Sequence, residues 1–182
     1  MATLKSEEYA SSADFCRIFD QQMSSLYLLS FLLTADAEKA EKCFVSGLED
    51  SVGGNRVFKE WAEAWARRTI IKNALQVIAP RPVGDNRLTR LVPIDHLIDR
   101  NDESRQPDTR AISAILALPS FERFVFVMSV LEHYSDQDCS LLLGSTRREI
   151  VAGRIRALER IATSTPVRST PRSAPQLLAA SA

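Results

Sequence analysis

The sequence predicts an all-α protein: two small helical bundles joined by a linker, the second carrying a helix-turn-helix. Three observations lead there. Apolar residues recur at helical spacing over most of the chain, and no stretch alternates as a half-buried strand does. One segment, Ala79-Pro80-Arg81-Pro82-Val83-Gly84-Asp85-Asn86, cannot continue a helix. Beyond it, two hydroxyl caps flank a Leu-Gly turn, the signature of two short helices in tight succession.

Taken in order, Phe15, Ile18 and Phe19 fall on one face, followed by Leu26, Leu29, Leu32 and Leu33. Thr34 and Asp36 supply a stop and a new N-cap. A helix is expected from Ala37 to Leu48, with Ala40, Phe44 and Leu48 at core spacing. Ser51-Val52-Gly53-Gly54-Asn55 reads as a turn, and a long helix from Val57 to Ile78 follows. Along it Phe58, Trp61, Trp65, Thr69 and Lys72 share a strip, and Trp61 and Trp65 are expected to pack in the core. Residues 10–79 thus make the first domain, and 80–108 the linker. The second domain, 109–162, opens with Ile112, Ile115, Leu116 and Leu118, breaks at Pro119, and resumes as an apolar helix over Phe121 to Leu131. Residues 163–182, rich in Ser, Thr, Pro and Ala, read as a disordered tail.

Ser135-Asp136-Gln137-Asp138 is a capping box opening a helix with Cys139, Leu142 and Leu143, and Gly144 ends it. Thr146 and Glu149 form the next box. The helix after it is expected to bury Val151, Ile155, Leu158 and Ala162 and to present Arg148, Glu149, Ala152, Gly153 and Arg156, with Arg147 and Arg154 flanking the stripe. Arginines at the start of such a helix grip phosphates or read guanine edges. An arginine-rich solvated helix of any small bundle has the same pattern.

Bulk properties bound the choice. Lys+Arg 23 against Asp+Glu 23 gives zero formal charge, so bulk attraction to nucleic acid is absent and any basic face is local. Cys16, Cys43 and Cys139 are too scattered for a metal site and fit reduced, buried thiols. The start, Met1 to Tyr9, is no secretory signal, and Leu26 to Leu33 is too short to span a membrane. A cytoplasmic protein is expected. An enzyme is not: Asp95-His96 and Glu132-His133 lack a third partner for a triad or metal, and Gly53-Gly54 lacks the lysine of a phosphate loop. No cofactor is called for.

Both halves carry family motifs. Leu118-Pro119, Arg123-Phe124-Val125-Phe126, Glu132, Tyr134, Leu143-Gly144, Val151, Arg154-Ile155 and Arg156-Ala157 together resemble the −35-binding domain of bacterial RNA polymerase sigma factors. That family's recognition helix reads Thr-Val-Lys-Ser-Arg-Leu, then Arg-Ala; Ala152 stands at its lysine and Gly153 at its serine. Leu26-Tyr27, Thr34-Ala35-Asp36, Ala40-Glu41, Trp65 and Asn73 resemble the −10- and polymerase-binding domain, with Lys42 for the aspartate and Val45 for the glutamine of its Ala-Glu-Asp-x-x-Gln motif. The order and the linker match the small two-domain, extracytoplasmic-function group.

The resemblance implies transcription initiation, with core RNA polymerase and promoter DNA as partners and an anti-sigma factor as a further one. It implies DNA contacts from Arg147, Arg148, Glu149, Ala152, Arg154, Arg156, Arg67 and Arg68, and polymerase contacts from Glu38, Glu41, Lys42 and Val45. Arg56, Phe58, Lys59, Trp61 and Lys72 would lie near captured single-stranded DNA. The departures at Lys42 and Val45 also fit a degenerate relative, a regulatory or interaction protein that no longer directs initiation.

Overall fold

The helices predicted by periodicity are the substance of the molecule. The computed structural model describes residues 8–54, 56–82 and 106–164, which are all-α apart from an isolated antiparallel bridge between Tyr9 and Phe58. The expectations for the first residues, for most of the linker with Asp95-His96, and for the tail from Thr165 onward lie outside the described residues.

Helix α1 (Ser12–Gln21) opens on a capping box: Ser11 accepts from the Asp14 N–H, and the Asp14 carboxylate accepts from the Ser11 N–H. It buries Phe15 and Phe19 and stops at Gln22, so the apolar run that follows is a separate helix, α2 (Met23–Thr34). Ser30 and Thr34 sit buried in α2 without penalty, because each hydroxyl donates to the carbonyl four residues back. Asp36 caps α3 (Ala37–Gly53) by accepting from the Lys39 N–H. This helix runs past the expected end at Leu48 and takes Gly53 into its last turn. The next begins not at Val57 but with a 3-10 turn, Lys59–Trp61, leading into α4 (Ala62–Ile78). Ala79, at φ 47°, provides the left-handed cap before Pro80.

Helices α3 and α4 cross closely where Gly47 meets Ile70; a Cβ on Gly47 would stand 2.8 Å from Ile70 Cγ1. Beside that contact Thr69 is buried and bonds to Ser51 Oγ and to the Gly47 and Ala66 carbonyls. Asn73 spans the same pair of helices, donating to the Asp50 carboxylate and the Thr69 carbonyl.

The later elements are α5 (Gln106–Leu116), which starts before the expected Thr109, α6 (Ser120–Phe126), α7 (Asp136–Leu143) and α8 (Arg147–Ser164). The helix expected over Phe121 to Leu131 changes character midway: after Phe126 it becomes a π-helical turn, Val127–Leu131, with the Glu132 N–H bonded to the Val127 carbonyl. His133 then reverses the chain in the left-handed region, φ 57°.

The two sets of helices share their interior. One cluster of buried apolar side chains runs from Phe19, Leu26, Leu33 and Ile70 to Phe121, Phe124, Met128 and Ile150. Each large side chain fully buried there contributes about 1.5–3 kcal/mol. Helix α2 packs on both α5 and α6. Arg123, 3% exposed, sits in this seam with no carboxylate paired to it among the described residues. It donates instead to the carbonyls of Leu33, Leu116 and Leu118, and burial lowers its pKa to about 10. One guanidinium therefore closes two helix ends from different parts of the chain.

Candidate nucleic-acid interface

Helices α7 and α8 form the tight bihelical unit that the caps announced. Ser135 accepts from the Asp138 N–H, and Gly144 at φ 60° ends α7 with its N–H on the Ser140 carbonyl. Two residues later Thr146 and Glu149 cap α8 reciprocally, at 3.3 and 2.8 Å. Those bonds from Thr146 hold the Glu149 carboxyl below the usual carboxylate range. The cap engages Oε2 of Glu149.

The face that α8 buries differs from the expected one. Ile150, Gly153 and Ala157 point inward. Val151, Ile155 and Leu158, expected in the core, are 36%, 50% and 46% exposed, and Ala162 is exposed as well. Gly153, expected to face DNA, lies under Phe121, whose ring would be 3.0 Å from an added Cβ. Ile150 thus holds the inward place expected for Val151.

The arginines divide accordingly. Arg148 is exposed, and Arg147 is exposed with Gln137 as its hydrogen-bond partner. Arg154 reaches across to the start of α7 and bonds Asp136 through two nitrogens, at 2.5 and 3.3 Å. The contact holds Asp136 below, and Arg154 above, their ordinary pKa ranges. Arg156 Nε donates to Glu122 Oε1 at 2.9 Å, and Arg160 Nε stands 2.9 Å from Oε2 without an aligned N–H. Glu122 is fully buried, so these arginines neutralise an interior carboxylate.

A second surface lies where the chain reverses at His133. Tyr9 stacks on Phe58 at 4.7 Å, and Phe58 meets the Trp61 ring edge-on at 5.3 Å. Trp61 is 57% exposed, not core as expected; Trp65 is half-buried, its indole N–H shielded from solvent without a hydrogen-bond partner among the described residues. Phe58, Trp61 and Trp65 border a cleft of about 600 Å³ whose wall includes Arg56, Arg68 and Tyr134. Burial pushes the Tyr134 hydroxyl pKa upward. Arg67 lines the cleft but is held by Glu132 and by the Ser25 hydroxyl. Arg68 is exposed. Lys59 is exposed too, and Lys72 lies farther along α4 beside Asp50. Tyr9 and Tyr134 had no sequence signal as members of this cluster, because only the chain reversals bring them there.

On α3, Glu38, Glu41, Lys42 and Val45 occupy one exposed strip at i, i+3, i+4 and i+7. Cys43 and Cys139 are buried, which raises both thiols, Cys139 to about 11; Cys16 is exposed. Among the described residues no group of three or more His, Cys, Asp or Glu is placed to hold a metal, and no helix is long and apolar enough to cross a membrane.

No protein-family model matches the chain, and no curated protein sequence matches it.

Proposed function

We propose that this chain is a sigma-like transcription-initiation subunit that works with core RNA polymerase on promoter DNA. The observation carrying the reading is the α7–Gly144–α8 unit: two capped helices in a tight turn, with Arg147 and Arg148 exposed on the first turn of the second. Helix N-termini with arginines suit the phosphates flanking a major groove. The aromatic run Tyr9–Phe58–Trp61 beside Arg56 and Arg68 supplies rings for stacking unpaired bases and cations for their backbone. The exposed α3 strip would meet polymerase.

The reading carries a mechanical requirement. Elements at −10 and −35 lie about 25 base pairs apart, or about 85 Å of duplex at 3.4 Å per pair. A folded chain of this length has a radius of gyration of only about 16 Å. The two helical sets must therefore part before both elements are engaged, breaking the Arg67–Glu132 pair and the Arg123 contact to Leu33.

Run-off transcription with purified core polymerase on a promoter library tests the proposal. Specific transcripts that vanish when Arg147 and Arg148 become alanine support it. A chain that neither binds core polymerase at low salt nor yields a transcript overturns it.

A second reading has its own support. Arg154, Arg156 and Arg67 are engaged inside the molecule, and α8 turns Val151, Ile155 and Leu158 outward where a duplex would lie. Those features suit a regulatory or interaction protein that keeps the fold without initiation. Retention of promoter binding without polymerase binding distinguishes it.

A further inference from the structure

The outward side of α8 is a seam. Val151, Ile155, Leu158 and Ala162 are spaced by four, three and four residues, the d-a-d-a rhythm of a two-stranded coiled coil. All four are exposed on a helix whose opposite side is fixed against Phe121 and Val125. Ile155 falls at an a position and Leu158 at a d position, the combination that in a parallel assembly favours two strands over three or four. The flanks follow the same register: Arg154 is at g and Glu159 at e. In a parallel pair a g residue faces the e residue five positions on in the other strand, so Arg154 of one copy meets Glu159 of the next, twice by symmetry. Antiparallel pairing would set arginine against arginine and glutamate against glutamate.

We propose that α8 is a self-association helix, and that a second copy of this chain covers its Val151–Ile155–Leu158–Ala162 ridge in a parallel, two-fold symmetric pair. Glu159 is exposed and has no ion-pair partner among the described residues. Arg154 uses two nitrogens on Asp136, fewer than the five N–H groups a guanidinium offers. Helix α8 is already held by its own bundle, so association does not bear the cost of forming it. The seam is two heptads long, which makes the pair reversible and concentration-dependent rather than obligate. The ridge is on the side of α8 where a duplex would lie, so pairing through it and docking of α8 on DNA exclude one another.

Sedimentation velocity of the full chain at rising concentration tests it, together with three variants. The unaltered chain should shift from monomer to dimer. Ile155→Glu buries a carboxylate in the seam and should abolish the shift. Glu159→Arg sets arginine against Arg154 of the facing copy and should do the same; because the substituted side chain is on the surface, circular dichroism should be unchanged. In a Cys16→Ser background, Ala162→Cys should form an interchain disulfide on mild oxidation, since only a parallel pair places residue 162 beside its own copy. A chain that stays monomeric throughout overturns the proposal and leaves the ridge to a different protein or to another segment of this chain. A dimer that survives Ile155→Glu, or one that Ala162→Cys fails to cross-link, overturns it as well.

Discussion

Arg67 and Glu132, 65 positions apart in sequence, meet in a two-pronged ion pair: Nε to Oε2 at 2.6 Å and Nη2 to Oε1 at 2.5 Å. The arginine comes from the middle of α4 and the glutamate from the end of the π-helical turn, so the pair ties the first four helices to the rest. Glu132 is the more enclosed partner, with 8% side-chain exposure against 28% for Arg67. The hydrogen bonds it donates to the glutamate are the chief reason the arginine is held above its ordinary pKa.

Removing Arg67 is therefore expected to cost more than removing a surface pair. Arg67→Ala leaves a largely buried carboxylate without its donors and should destabilise by about 2–4 kcal/mol. Arg67→Lys cannot reproduce the fork and should recover only part of that. A double-mutant cycle with Glu132→Gln, read by urea unfolding, checks both statements. Additive losses would show that the two residues act separately.

The facing of α8 predicts opposite outcomes for adjacent residues. Ile150 is fully buried, so Ile150→Ala should cost about 2–4 kcal/mol. Val151→Ala should fall within about 0.5 kcal/mol, as exposed substitutions do. Gly153→Leu should be worse than Ala152→Leu, since the ring of Phe121 stands where the new side chain must go. Thermal melts of the four variants decide the register of the helix.

That register also shows where sequence reasoning reached its limit. Caps were legible because they are local: Asp36, Ser135, Thr146 and Gly144 each act within four residues, and each does what its chemistry dictates. The apolar run of α2 was legible because Leu26, Leu29, Leu32 and Leu33, which the helical spacing places on one face, form its buried side. On α8 two stripes competed. The one richest in branched aliphatics, Val151, Ile155 and Leu158, matched a core pattern, yet the buried one contains Gly153 and Ala157. At Gly153 the ring of Phe121 occupies the space a side chain would need, and that ring belongs to another helix. Trp61 failed for a related reason: its position followed the helical strip, but the chain there is a 3-10 turn that swings it outward. Tertiary contacts decided both, and neither leaves a trace in local periodicity.

Acid should loosen the molecule by a calculable sign. Asp14 and Glu149 lie below their ordinary pKa values through bonds from Ser11 and Thr146, and Asp136 through bonds from Arg154. A carboxyl depressed in the folded state stabilises it above the unfolded pKa of about 4, and that contribution disappears as pH falls through the folded values. Melting temperature should therefore drop from pH 5 toward pH 3 by a shallow slope, because all three groups are exposed to solvent screening. Arg154→Ala should flatten the part due to Asp136. It should also weaken the α7–α8 pair at neutral pH, so a loss of DNA binding in that variant would not by itself assign Arg154 to DNA.

Gly144 separates backbone strain from crowding. Nothing lies within 4 Å of a Cβ built on it, so a larger side chain has space. Its φ of 60° is the constraint: this left-handed conformation costs an ordinary L residue about 1–2 kcal/mol, and a β-branched one more. Gly144→Val should accordingly destabilise the α7–α8 unit through its backbone alone. Gly144→Asn should be milder, since asparagine tolerates the left-handed region. Gly144→Ala should lie between them, and unfolding by chemical denaturant gives the order. If alanine were milder than asparagine and valine the worst, the order would follow side-chain volume and the cost would arise from crowding at the turn, contrary to the open space around it.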